Sequence, residues 1–219
     1  MTKKHVQKLQ AALDEATLQM KQALPVEVLE AFGIAIEQIR ETGLSKGLGI
    51  GAKAPDFTLT SMDGKSISLS EELKNGPVVL VFYRGIWCPF CNLELRAYEQ
   101  IIDEIEAVDG RVIAISPQTA EYSRAMQEKH ELRFPVGSDL HNQTAKKYQI
   151  TAQMSEQLRQ IYQSVDISLD VFNEDHSWEL PLPATYIIDR EGIIRFASVD
   201  ADYKKRLEPS EVLILLQSL

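Results

Sequence analysis

Residues 80–97 read LVFYRGIWCPFCNLELRA. The run that enters this stretch, PVVLVFY from Pro77 to Tyr83, is apolar without alternation. A strand buried on both faces has that pattern. A short bend follows, and Cys88 and Cys91, the two cysteines of the chain, stand three apart. Pro89 suits the first position of a helix, so a helix is predicted over residues 88–108. A helix start offers unpaired backbone N–H groups and the positive end of the dipole, and both stabilise a thiolate. The ordinary cysteine pKa of ~8.5 can fall by several units there. Side chains three apart share a helix face, with their Cβ atoms ~5–6 Å apart. Cysteines stacked on one face in this way suit a disulfide, whose Cβ atoms lie about 3.5–4.5 Å apart, after a small adjustment. The pair is expected to cycle between dithiol and disulfide with little backbone movement.

The helix also orders the two thiols. Cys91, Leu95, Tyr98, Ile102 and Ile105 form one stripe, at steps of four, three, four and three. Such a stripe faces the core, so Cys91 is expected beneath and Cys88 at the open end. On this reading Cys88 attacks and Cys91 resolves. Arg84, at the strand end, either adds positive potential beside Cys88 or is a solvated surface cation. Tyr83, Trp87 and Phe90 surround the pair, either as an apolar rim for a substrate or as core.

The rest of the composition removes other classes. The chain has 219 residues, 44% of them apolar, and a net charge of −9. That charge repels phosphates, so no nucleic-acid partner is expected. No apolar stretch approaches the ~20 residues of a spanning helix. The start, MTKKHVQKLQAALDEA, has no apolar core after its basic residues, so it reads as no signal peptide, and the cytoplasm is the expected compartment. His5, His130, His141 and His176 are scattered, which argues against a zinc site built with the cysteine pair. No G-x-G-x-x-G, P-loop or G-x-S-x-G is present, so no nicotinamide, flavin or ATP cofactor is expected.

Apolar periodicity predicts a helical hairpin over residues 5–43, interrupted at Leu24-Pro25 and closed by Gly43. Its stripe either packs on the main domain or forms a homodimer interface. The glycine-rich stretch 43–55 reads as a linker, dividing a helical N-terminal extension, residues 1–44, from a domain over 45–219. In that domain DFTLT and KSISL flank Asp63-Gly64 as a β-hairpin. Strands are expected at 77–83, 111–116 and 134–139, with helices at 118–130, 143–150 and 154–163, and a loop over 164–181. TYIID and IIRFA form a second hairpin around Arg190-Glu191-Gly192, and an amphipathic helix with Pro209 near its start ends the chain. A βαβ unit followed by ββα implies an α/β fold, a mixed central sheet with helices on both faces.

WCPFC at a strand–helix junction resembles the active site of the thioredoxin superfamily. Residues 51–70, GAKAPDFTLTSMDGKSISLS, together with VVLVFYRGIWCPFCNLELRA, ISPQT and LPATYIIDREGIIRF, are similar to the alkyl hydroperoxide reductase/thiol-specific antioxidant family. Its peroxiredoxin-like subgroup, with a W-C-P-[FY]-C-N-L-E-L-R signature, is the nearest match, and DADYKKRLEP at 200–209 resembles that subgroup too. The resemblance covers about residues 45 to 217 and implies a thioredoxin-like fold. Counted from Tyr83, it implies that the peroxide-reacting position is Cys91, that a threonine position is taken by Cys88, and that Glu94 matches a common acidic residue. The family's arginine position falls on Pro183. Thioredoxins carry a cis-proline at the corresponding place, so Leu182-Pro183 is expected to be cis and to pack beside Cys88.

Two uses of one cysteine cycle follow. The first is a dithiol–disulfide oxidoreductase in which Cys88 attacks a substrate disulfide, Cys91 resolves the mixed disulfide, and a cellular dithiol restores the pair. The second is a thiol-dependent peroxidase with an antioxidant role, in which one cysteine becomes a sulfenic acid and the other condenses with it. A non-catalytic interaction domain is the third reading. The implied thiol donor is thioredoxin, glutaredoxin or glutathione; the Pro89-Phe90 pair resembles that of glutaredoxins.

Overall fold

The computed structural model describes residues 8–43, 46–60 and 66–219. Asp63-Gly64, and with it the turn of the first hairpin, lies outside the described residues. In chain order the elements are α1 (Leu9–Ala23), α2 (Val26–Thr42), β1 (Thr58–Thr60), β2 (Ser66–Ser68), α3 (Leu69–Glu72), β3 (Val78–Phe82), α4 (Pro89–Gln100), α5 (Ile102–Glu106), β4 (Arg111–Ser116), α6 (Ala120–His130) and β5 (Val136–Ser138). A 3-10 turn at Leu140–Asn142 leads into α7 (Gln143–Lys147), β6 (Thr151–Gln153), α8 (Glu156–Ser164), α9 (Leu169–Asn173), β7 (Glu179–Pro181), β8 (Ala184–Ile188), β9 (Ile194–Val199) and α10 (Pro209–Gln217).

Strand β3 is the centre of a five-stranded sheet of order β5-β4-β3-β8-β9. It runs parallel to β4 and antiparallel to β8, and β8 pairs antiparallel with β9. Every residue of β3 is buried, and its two side-chain phases feed two cores. Val78, Leu80 and Phe82 join a cluster with Ile113, Ile115, Tyr186 and the α8 residues Leu158 and Tyr162. Val79, Val81 and Tyr83 join the other, with Cys91, Leu95, Tyr98, Ile102 and Ile105. That second list is the stripe expected of the helix after the cysteines. The mixed α/β sheet with helices on both faces is therefore present.

Four local expectations are corrected. The helix over 88–108 is two, because Ile101 leaves helical geometry (φ −119°), which turns both Ile101 and Ile102 into the core. The loop over 164–181 contains α9 and β7. Strand β7 exists through its antiparallel pairing with β6, a non-local partner that periodicity does not register. The stretch read as a linker is fastened from Leu48 onward: Leu48 N–H donates to the Tyr148 carbonyl (3.2 Å), Gly51 to Ile194 (2.8 Å) and Ala54 to Gly192 (2.9 Å). Finally, no cis peptide bond occurs among the described residues. Leu182-Pro183 is trans and carries the extended chain from β7 into β8, with Leu182 N–H bonded to the Ile150 carbonyl at 2.7 Å.

The N-terminal helices pack on the domain. Leu9 and Leu13 of α1 lie in the core of Cys91, while Ala35 of α2 lies in the opposite one. Gly43 ends α2 in the left-handed region (φ 76°), where glycine carries no Cβ penalty.

Candidate active site

Beyond β3 the chain bends through Arg84–Trp87 and enters α4. Glycine is required inside the bend: a Cβ on Gly85 would stand 2.4 Å from Trp87 Nε1. Cys88 N–H donates to the Gly85 carbonyl (3.1 Å), and the Cys88 carbonyl accepts from Asn92 N–H (3.1 Å). Cys88 is thus the N-cap and Pro89 the first helical residue. Two amides pin this geometry. Asn92 Nδ2 donates to the carbonyls of Ile86 (2.7 Å) and Cys88 (2.8 Å), and its Oδ1 meets His130 Nε2 of α6 (2.8 Å). Gln118 Oε1 accepts from Ile86 N–H (2.8 Å) while its Nε2 donates to the Tyr83 hydroxyl (2.9 Å).

Both thiols are free. Cys88 is 1% exposed and Cys91 0%, so the expected open end of the helix is closed. Leu9 and Leu13 belong to the same buried cluster as Cys88, and Arg84 lies against its sulfur. Tyr83 and Phe90 are core, at 0% and 1% exposed, and form no rim. Trp87 is half-buried.

Arg84 is buried, which removes the solvated reading. Its Nη1 lies 3.9 Å from Cys88 Sγ, and its backbone N–H points at Cys91 Sγ (3.5 Å). Its guanidinium is caged by aromatic faces: Cζ stands 4.8 Å from the Trp87 ring, 4.4 Å from Tyr203 and 5.8 Å from Tyr162, whose hydroxyl also accepts from Nη2. Such faces attract a cation electrostatically, the more so when it is desolvated.

A second guanidinium reaches the pair from the segment after β9. Arg206 Nη2 donates to Cys91 Sγ (3.3 Å), and its Nε donates to Glu94 Oε2 (2.6 Å) with both side chains almost wholly buried. Periodicity did not find Arg206, Tyr203, Tyr162, Asn92 or Gln118. The available signals were the quoted motifs: Asn92 lies in CNLELR, Gln118 in ISPQT, and Tyr203 and Arg206 in DADYKKRLEP, where Arg206 is one of three neighbouring cations. Pro183 lines an open cleft of about 420 Å³ together with Glu94 and Arg206. On its other side it lines a small cavity with Arg84. An arginine therefore serves the cysteines although position 183 holds proline.

The charges call for a single thiolate. Two guanidiniums and one carboxylate leave one positive charge unmatched, and a single thiolate completes a neutral buried set. Burial by itself raises the Cys88 thiol, but the hydrogen bond from Cys91 and the guanidiniums of Arg84 and Arg206 bring it down to about 6. Burial and the bond to Cys88 push Cys91 well above the usual thiol range. Burial also lifts Glu94 to about 7, against the pull of Arg206. The arrangement favours the thiolate at Cys88 and the thiol at Cys91.

Known proteins share this frame. The model of the AhpC/TSA family matches residues 50–197. The chain is 28% identical over 173 residues to the chloroplastic peroxiredoxin Q of Oryza sativa subsp. japonica, covering 77% of this chain and 67% of the relative. It is 26% identical over 185 residues to the chloroplastic peroxiredoxin Q of Sedum lineare (83% and 84% covered). It is also 28% identical over 174 residues to thioredoxin-like protein YneN of Bacillus subtilis strain 168 (77% and 83% covered). Among solved structures it superposes on peroxidoxin BcpB of Mycobacterium tuberculosis with a TM-score of 0.62 at 19% identity, over 78% of this chain and 98% of that one. The peroxiredoxin-like protein of Aquifex aeolicus gives 0.60 at 17% identity, over 78% and 88%. The fold is thioredoxin-like, and the chain belongs to the AhpC/TSA family as a thiol-based oxidoreductase.

Proposed function

We propose that this protein is a thiol-dependent peroxidase in which Cys88 attacks and Cys91 resolves. The supporting observation is the burial of both sulfurs, at 1% and 0% exposure, between two guanidiniums. A peroxide is small enough for such a site, whereas a protein disulfide needs an open sulfur. The Cys88 thiolate attacks one peroxide oxygen; the S–O bond forms as the O–O bond breaks. The leaving oxyanion is met by positive charge from Arg84 and takes up a proton as water or alcohol. Electrostatic stabilisation of this kind is worth most in a dry site. Cys91 then condenses with the Cys88 sulfenic acid, giving the Cys88–Cys91 disulfide and one water. A dithiol donor of the thioredoxin or glutaredoxin class, or two molecules of glutathione, reduces the disulfide in a reducing compartment such as the cytoplasm.

A second reading, the dithiol–disulfide oxidoreductase, is favoured by one feature: Cys88 caps the helix, with Pro89 at its first position. Stopped-flow oxidation of the reduced protein by hydrogen peroxide, and in parallel by a small disulfide, separates the two. The peroxidase reading expects peroxide to react faster than with a free thiol by orders of magnitude, and a rate no faster than a free thiol's sinks it. Trapping assigns the order: Cys91→Ser is expected to accumulate the sulfenic acid at Cys88. Retained function after replacing both cysteines by serine would favour a non-catalytic interaction domain. A homodimer through the N-terminal helices rests on the outward Leu18, Val26 and Ile34, at 56%, 64% and 55% exposure, and sedimentation tests it.

A further inference from the structure

Helix α2 lies against the aromatic cage of Arg84. The Phe32 ring sits 6.0 Å from Tyr162 and 5.8 Å from Tyr203, the two tyrosines that face the guanidinium. Between α2 and the domain is a cavity of about 30 Å³, walled by Phe32, Ala35, Ile36 and Ile39 on one side and by Arg84, Tyr162 and Tyr203 on the other. A space of that size holds about two oxygen-sized centres. Its wall is apolar apart from the Arg84 guanidinium and the tyrosines, and Arg84 in turn touches Cys88 Sγ at 3.9 Å. The opposite cleft, at Arg206 and Glu94, is far larger, at about 420 Å³, but its residues lead to Cys91, not to the attacking sulfur. The α2 side therefore walls the space beside Arg84, whose guanidinium stands next to Cys88 Sγ.

We propose that α2 is the specificity wall of this site, with Phe32 setting the bore, so that the protein selects hydrogen peroxide against bulky organic hydroperoxides. The inference rests on the peroxidase reading and on the Cys88 assignment. An aromatic ring at this position leaves no room for a cumyl or tert-butyl group beside Arg84. Removing the ring opens a volume of several methylenes, and even one methylene in an apolar pocket changes discrimination by about tenfold or more.

The test compares rate constants for hydrogen peroxide and cumene hydroperoxide in the full chain. For Phe32→Ala the cumene-to-hydrogen-peroxide ratio is expected to rise by about tenfold or more. Phe32→Trp, which narrows the bore, is expected to lower it. Ile34→Ala, on the exposed side of α2, is expected to leave it unchanged. A parallel measurement needs no peroxide chemistry: alkylation of Cys88 by iodoacetamide against N-phenylmaleimide, where Phe32→Ala is expected to favour the larger reagent. Circular dichroism establishes that each variant is folded; should Phe32→Ala not fold, Phe32→Leu and Phe32→Trp carry the comparison. If the wild-type protein reacts rapidly with hydrogen peroxide but neither ratio moves, the wall assignment is wrong and the peroxidase reading stands. If the alkylation ratio moves but no peroxide outpaces a free thiol, the wall stands as a gate to Cys88, and both the peroxidase reading and the selection among peroxides fall.

Discussion

At the scale of single residues, the site is a balance of four buried charges. Two members, the thiolate of Cys88 and the carboxylate of Glu94, titrate in an accessible range, at about 6 and about 7. Alkylation of wild-type protein by iodoacetamide, mapped to Cys88 by mass, is expected to reach half its maximal rate near pH 6 and not near the ~8.5 of a free thiol. Because the folded value is depressed, Cys88 contributes stability that is present above the free-thiol pKa and lost as pH falls through about 6. Glu94 has the opposite sign. Its folded value, raised to about 7, makes its contribution largest below the ordinary carboxylate range and lost as pH rises through about 7. Urea unfolding of Glu94→Gln is expected to show a flatter profile between about pH 4.5 and 7 than wild type. Arg206→Met leaves Glu94 buried without its partner, a change that costs about 3–5 kcal/mol in comparable buried pairs. The double variant Arg206→Met/Glu94→Gln is expected to recover part of that loss, and an unchanged Cys88 inflection in either would remove Arg206 from the charge balance.

At the scale of elements, α4 has two separate duties. Its start holds Cys88 as the N-cap, and its inward stripe holds the start against the sheet. Leu95, fully buried one turn beyond Cys91, serves the second duty alone. Leu95→Ala is expected to cost about 2–5 kcal/mol in denaturant unfolding without shifting the Cys88 inflection. Helix α1 is fastened differently. Its first N–H groups have no helical partners, and Glu208 supplies them: Oε2 accepts from Leu9 (3.2 Å) and Oε1 from Gln10 (2.6 Å). Glu208 stands two residues after Arg206, so the contact that starts α1 also steadies the segment that brings Arg206 to Cys91. Glu208→Ala is expected to cost about 1 kcal/mol, the size of a lost cap. Hydrogen exchange is expected to rise in both the first turn of α1 and residues 203–207. Faster exchange in α1 alone would mean that the two are not coupled.

At the scale of the whole molecule, the N-terminal helices and the segment after β9 close over one end of the sheet. Phe32 meets Tyr203, Glu208 meets α1, and Arg206 meets Glu94. Oxidation to the disulfide removes the thiolate from this set and leaves a guanidinium without its counter-charge, which a buried site tolerates poorly. The oxidised protein is therefore expected to exchange faster than the reduced protein across α2 and residues 203–208, by hydrogen–deuterium mass spectrometry. Equal protection in both states would mean that the cover does not sense the redox state.

Much of this protein follows from the sequence by itself. An unalternated run at 77–83, a bend, a cysteine pair and a four-three stripe dictate a buried strand followed by a helix on its face. They also dictate that Cys91 lies beneath that helix, because such patterns are local consequences of strand and helix geometry. The second hairpin and its Gly192 turn are local in the same sense. What the sequence did not determine is everything supplied from a distance. The pairing of β7 with β6, the caging of Arg84 beside Cys88 by Tyr162 and Tyr203, and the arrival of Arg206 at Cys91 join residues far apart in the chain. The trans geometry at Pro183 belongs with them, since the path from β7 into β8 sets it. Local period carries no record of such partners. Burial and charge pairing, which turn the cysteine pair into one thiolate and one thiol, exist only once the tertiary structure has brought them together.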